Sequence, residues 1–142
     1  MRILLSPNDS LTAVMSGAAA TTSPYYHATW GDSAGGSQTQ TTGSLSGATA
    51  VTAVAAPPAG QRTVSELVIY NVDTAAVTVT VAKVVSGTSY TLSVVTLQTL
   101  DTLMVDADGI SVMDSSGQLK QTATSTTLVP LALEAHDWRR TD

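Results

Sequence analysis

Val77-Thr78-Val79-Thr80-Val81, then Ser86-Gly87, then Tyr90-Thr91-Leu92-Ser93-Val94 is the stretch on which the fold turns. Successive side chains of an extended chain point to opposite faces, so Val77, Val79 and Val81 share one face and Thr78 and Thr80 the other. After the Ser-Gly break the alternation resumes, with Tyr90, Leu92 and Val94 set against Thr91 and Ser93. Two such runs joined by a Ser-Gly pair read as a β-hairpin with one buried face.

The same grammar continues on both sides. Downstream, residues 100–106 stop at Ala107-Asp108-Gly109, and residues 110–113 stop at Asp114-Ser115-Ser116-Gly117 before Gln118-Leu119-Lys120. Upstream, residues 61–72 hold four consecutive apolar side chains, Leu67, Val68, Ile69 and Tyr70, which fits a strand in the middle of a sheet or covered on both faces. Asn71-Val72-Asp73-Thr74 supplies the turn into Val77, and Pro57-Pro58-Ala59-Gly60 breaks the chain before it. Residues 48–56, 25–30 and 11–15 are weaker strand candidates. No helical stripe of 12 or more residues emerges; the best window, 128–138, contains Pro130. Short strands with frequent turn signals predict an all-β fold, an antiparallel β-sandwich with the jelly roll as one form of it.

Composition narrows the function. The chain has 142 residues, the size of one domain, and Thr, Ala, Ser and Val supply 74 of them, which excludes a coiled coil. Six Lys plus Arg against eleven Asp plus Glu disfavour a nucleic-acid binder, which needs a basic surface. Without cysteine there is no disulfide, thiolate metal site or Cys nucleophile. No run approaches the roughly 18 apolar residues of a membrane span. Residues 1–5 are too short for the apolar core of a signal peptide, so synthesis in a cytoplasm is expected. Asn8-Asp9-Ser10 matches a glycosylation acceptor but reads more simply as a turn after Pro7.

Two segments pose a question of energetics. Residues 31–60 carry only Leu45, Val51 and Val54 as larger aliphatics, and burying each contributes about 1.5–3 kcal/mol. Ordering each backbone there costs about 1–2 kcal/mol, so local burial cannot hold the segment. It lies along the sheets of its own domain, or stays a flexible loop, or is ordered by a neighbouring subunit. In the tail, the polar residues 122–127 precede Leu128, Leu131, Leu133 and Trp138, which reads as an arm that docks elsewhere. The domain is therefore taken as 1–121, best defined over 61–121, with a C-terminal arm over 122–142.

Candidate chemistry is sparse. His27, Asp32 and Ser33 contain triad residue types, as do His136 and Asp137 with a serine, yet no nucleophile elbow surrounds any serine. Asp106-Ala107-Asp108-Gly109, with Asp101 and Asp114, offers carboxylates for a hard cation such as calcium. The spacing lacks the third ligand and late Glu of a calcium loop, and a turn capped by Asp with Gly at positive φ accounts for the residues without a metal. The expectation is no catalytic residue, no cofactor and no metal. Tyr25, Tyr26, Trp30 and Trp138, with Arg139 and Arg140, are candidate interface anchors, because Trp, Tyr and Arg dominate binding hot spots; Leu128, Leu131 and Leu133 join them, and the alternative for the tyrosines is the domain's own core.

One longer pattern is informative as a whole. Arg62-Thr63-Val64-Ser65-Glu66-Leu67-Val68-Ile69-Tyr70-Asn71 is followed by Asp73-Thr74-Ala75-Ala76-Val77-Thr78-Val79-Thr80-Val81. Then come Tyr90-Thr91-Leu92, Thr96-Leu97, Asp108-Gly109-Ile110-Ser111-Val112 and Asp114-Ser115-Ser116-Gly117-Gln118-Leu119-Lys120, with Asn8-Asp9-Ser10-Leu11 and Tyr26-His27-Ala28-Thr29-Trp30 upstream. The order of these blocks over about 1–121 resembles small β-rich virion structural proteins of tailed bacteriophages. The chain departs from that pattern at Gln98-Thr99, where the group carries a glycine. The resemblance implies a non-enzymatic virion component that binds neighbouring subunits, most simply a capsid decoration (cement) protein. The partners it implies are the major capsid protein and copies of the chain itself, a homo-oligomer such as a trimer, with no nucleic acid and no membrane. The alternative it implies is a neck, tail or fibre component that binds a receptor or glycan. Exposed sheet edges are a second route to assembly.

Overall fold

The computed structural model describes residues 2–33 and 35–120, and the proposed C-terminal arm lies outside them. Eleven strands account for the regular structure, and no helix occurs among the described residues. In chain order they are β1 (Ile3–Leu5), β2 (Asp9–Met15), β3 (Tyr25–Asp32), β4 (Gln38–Ser44), β5 (Val51–Val54), β6 (Arg62–Tyr70), β7 (Val77–Val85), β8 (Thr88–Leu97), β9 (Thr102–Asp106), β10 (Gly109–Met113) and β11 (Leu119–Lys120). One sheet has the order β11-β10-β9-β6-β3-β4, with β1 also paired to β6; the other has the order β5-β2-β7-β8. All pairings are antiparallel. The two sheets pack into a sandwich, the fold class that the alternating patterns predict. This order establishes the sandwich without establishing a jelly roll.

The core is what alternation dictates. Leu11, Ala13 and Met15 of β2 and Val77, Val79 and Val81 of β7 face Ala28, Leu67, Ile69, Leu103 and Val105 of the larger sheet, all buried. The hairpin joining β7 and β8 turns on Ser86 (φ 49°) and Gly87 (φ 86°), the paired left-handed conformation of a two-residue hairpin turn. Residues 31–60 are held by the first of the three expected routes: β4 pairs with β3 and β5 pairs with β2, so backbone hydrogen bonds of the domain itself order this segment.

Bulges interrupt two strands, and the one on β8 corrects the expected alternation there. On β6 the register shifts between Thr29 and Trp30, leaving Ser65 as an extra residue. Val64 and Leu67, three apart, therefore both point inward. The consecutive apolar run marks the first of its two expected placements: β6 lies in the middle of its sheet between β9 and β3 and is not covered on both faces, with Leu67 and Ile69 buried, Val68 half-buried and Tyr70 exposed. On β8 an extra residue at Leu92 shifts the pairing with β7, so Leu97 faces the core while Val94 is exposed.

Both ends of β6 are closed by polar side chains. At its start, Arg62 is buried; its Nε and Nη2 donate to the two carboxylate oxygens of Asp32 at 2.6 and 2.9 Å, and Nη1 donates to the Ala55 carbonyl. Just past its end, the fully buried Asn71 amide donates to the carbonyls of Ala75, Leu97 and Gln98, and its Oδ1 accepts from the Asp73 N–H. The Asn71 backbone also exchanges hydrogen bonds with the loop between β8 and β9, donating to the Asp101 carbonyl and accepting from the Leu100 N–H. That loop contains Gln98-Thr99, and Leu100 takes the positive φ (69°) for which a glycine is better suited.

Two substitutions test this account. Asn71→Ala strips three carbonyls and an N–H of their partner, and unfolding by denaturant should show a loss of at least about 3 kcal/mol. Gly43 pairs with Tyr26, whose ring lies where a Cβ would sit, 2.8 Å from the nearest ring atoms. Gly43→Ala should cost about 1–3 kcal/mol through overpacking, and an unchanged midpoint would show that the ring can swing clear.

Candidate functional site

Among the described residues, those that suggested catalysis are each engaged apart from one another; His136 and Asp137 lie outside the described residues. His27 and Asp32 lie on opposite faces of β3; His27 Nδ1 shares a 3.1 Å hydrogen bond with Thr42 Oγ1, and Asp32 is held by Arg62. Ser33 Oγ accepts from the Gln61 N–H. The carboxylates considered for calcium serve their own turns: Asp106 accepts from the Asp108 N–H, and Asp114 from the N–H groups of Ser116 and Gln118. Asp101 accepts from the Gln98 N–H and from Lys120 Nζ at 2.8 Å. Among the described residues no three His, Cys, Asp or Glu side chains gather as a metal site.

Two carboxylates titrate unusually low. The Arg62 guanidinium, bonded to Asp32 and opposed only by partial desolvation, holds that carboxyl below its ordinary value. Asp73 is buried and held lower still by the Ala20 N–H, against the effect of burial, with further hydrogen bonds from the backbone of Thr21 and Thr22 and the Thr21 hydroxyl. It thereby fastens the loop before β3 to the turn after β6.

The anchor candidates separate cleanly. Tyr26, only 7 % exposed, packs into the core, which corrects its place among the interface residues: β3 turns it inward beside Ala28. Trp30 is half-buried on the same face, with its Nε1 donating to Thr41 Oγ1 and the Arg62 guanidinium carbon 3.6 Å from its ring centroid. Its ring is committed to the domain's own packing. Leu128, Leu131, Leu133, Trp138, Arg139 and Arg140 lie outside the described residues. Tyr25 alone of the described candidates faces outward, 49 % exposed.

Tyr25 is one member of a larger feature. Directly paired residues of an antiparallel sheet project from the same face. Ser44 pairs with Tyr25, Tyr25 with Tyr70, Tyr70 with Thr102, Thr102 with Met113, and Met113 with Leu119. A single row thus crosses six strands on the outer face, spanning about 24 Å at the usual strand spacing. Tyr70 is 36 % and Leu119 67 % exposed. The row behind it is Thr42, His27, Val68, Met104 and Ser111. A shallow groove of about 490 Å³ lies at the β4 end, bordered by Tyr25, Tyr70, His27 and Ser44. No Asp, Glu, Lys or Arg interrupts either row. Sequence reading missed this feature because its residues are up to 94 positions apart, from Tyr25 to Leu119, and only the register aligns them.

No family model, curated protein or solved structure matches the chain.

The Asp73 clamp makes a signed prediction. A carboxyl whose folded-state pKa lies below its ordinary 3.8 adds stability that is full above that value and is lost as pH falls below about 4 towards the depressed value. Melting temperatures of the native chain should drop between pH 5 and pH 2, and Asp73→Asn should flatten that drop while lowering stability at neutral pH. An unchanged acid limb in the variant would assign the acid sensitivity to other carboxylates.

Proposed function

We propose that the chain is a non-enzymatic structural protein of a bacteriophage virion, a capsid decoration protein that binds neighbouring subunits. The observation that carries this reading is the uncharged row from Ser44 to Leu119, which exposes Tyr25, Tyr70 and Leu119 across the whole width of one sheet. An antiparallel sheet with one solvated face ordinarily reads polar there. Exposed apolar side chains gathered on one surface mark a contact with another macromolecule. The resemblance of the sequence blocks over 1–121 to tailed-phage virion proteins supports this kind of assembly, and the major capsid protein is the partner that a decoration protein requires. Its acidic balance, five net negative charges, suits a particle exterior away from packaged DNA.

A neck, tail or fibre component is the second reading, favoured by one feature: Tyr25 and Tyr70 are paired neighbours with the His27–Thr42 hydrogen bond beside them, an aromatic platform of the sort that glycans stack upon. Stoichiometry separates the two. In purified virions of the phage that encodes the chain, a decoration protein is present at a copy number comparable with the major capsid protein, and immunogold label falls on the head. A few copies at one vertex or on the tail, with binding on a glycan array, would select the second reading; absence from purified virions would end both.

A further inference from the structure

We propose that the outer-face row of one copy receives the C-terminal segment of a neighbouring copy, residues 128–138, so that the chain assembles head-to-tail through exchanged arms. The inference rests on the reading of the chain as an assembling subunit and names the two surfaces that meet.

The size of the surface argues for a segment rather than a flat face. The two rows, one crossing six strands and the other five, offer roughly 24 Å by 14 Å, about 300 Å², well short of the roughly 800 Å² per partner that a stable dimer needs. One extended segment of about seven residues spans such a strip. The chain itself contains one: Leu128-Val129-Pro130-Leu131-Ala132-Leu133 is uncharged and apolar, and Trp138 follows. The place where the described structure ends supplies the connection. Leu119, the last member of the row, is followed by Lys120 at the end of β11, the outermost strand of the sheet. The polar residues 121–127 then offer a reach of roughly 23–25 Å before Leu128. A chain that leaves from the perimeter strand is positioned to enter an adjacent copy, whereas docking on its own row would require it to reverse and recross five strands. Such a contact joins two different surfaces, the heterologous type that gives a ring where the rotation between copies closes and a filament where it does not.

Of the free edges, β4 carries only polar side chains and a glycine over its seven residues, and β8 is the competing apolar surface. It is ten residues long, uncharged, and exposes Tyr90 and Val94. β5 is shorter, at four residues, and the chain beyond it runs into Pro57-Pro58; β11 is two residues long.

Complementation decides the matter with full-length protein. Mass in solution should show the unaltered chain associating. Tyr25→Lys with Tyr70→Lys should break the row, and Leu131→Asp with Leu133→Asp should break the arm. Each should weaken association at least tenfold while the circular dichroism spectrum and melting temperature hold. Mixing the two broken variants should restore a one-to-one pair, because one supplies an intact arm and the other an intact row. Should the lysine pair unfold the protein, Tyr25→Ser with Tyr70→Ser takes its place. Val94→Lys should leave the mass unchanged. A monomeric native chain, association that survives both broken variants, a mixture that fails to pair, or dissociation by Val94→Lys alone would each overturn the proposal. None of these would touch the particle reading, which virion stoichiometry tests separately.

Discussion

The architecture depends on how the central strand of the larger sheet ends. A core of aliphatic side chains must stop where its strands stop, and there the backbone groups of the loops come under cover. At one end of β6, the buried Arg62 binds Asp32 on β3 and reaches across to the Ala55 carbonyl beyond β5, joining the two sheets. At the other, Asn71 binds carbonyls from the loops after β6 and β8, and the adjacent Asp73 collects N–H groups from the loop after β2. Every buried side-chain nitrogen and oxygen among the described residues has a partner. That completeness matters because an unsatisfied group in such a place costs far more than a satisfied one returns.

The residue types explain why the ends need such care. With no Phe and six aromatics in all, the space between the sheets is filled by Leu, Ile, Val, Ala and Met. Such a core has little surplus with which to offset an orphaned carbonyl. The one tyrosine that the core does accept, Tyr26, is accommodated by Gly43 opposite it, an absent side chain on the edge strand. Trp30 is accommodated in a different way, as a platform for the Arg62 guanidinium, whose charge its ring face attracts while Asp32 neutralises it.

Much of this was readable in the residues, and the boundary of what was readable is physical. The hairpin through Ser86-Gly87, the turns at Asp106 and Asp114 and the inward face of β7 follow from period-two alternation and turn chemistry, which are local. Parity along β6 and β8 was not readable, because a bulge inserts one residue without any compositional mark, and everything beyond it changes face. Nor was the role of Asn71, whose acceptors are backbone carbonyls at Leu97 and Gln98, supplied by a loop 26 positions away. In the loop after Gln98-Thr99, Leu100 takes a left-handed conformation, a strain that no sequence pattern announces.

The outer faces of the two sheets make the strongest internal comparison. On the smaller sheet, Ser10, Thr78, Thr80 and Thr96 keep the solvent side largely polar, with Val14 and Val94 among them, and Thr78 and Thr96 share a hydrogen bond there. On the larger sheet, the polar residues Glu66, Asp106 and Thr29 occupy one end, while Tyr25, Tyr70, Met113 and Leu119 occupy a row at the other. The smaller sheet also exposes apolar side chains, Tyr90 and Val94 of its edge strand β8, but the larger sheet departs further from the one-sided rule, because its exposed apolar side chains line up across six strands with no charged residue between them. Core packing cannot account for the departure, since these side chains project away from the core. Fold stability gains little from them, since they remain exposed. That is why the proposed reading rests on the row rather than on any buried cluster.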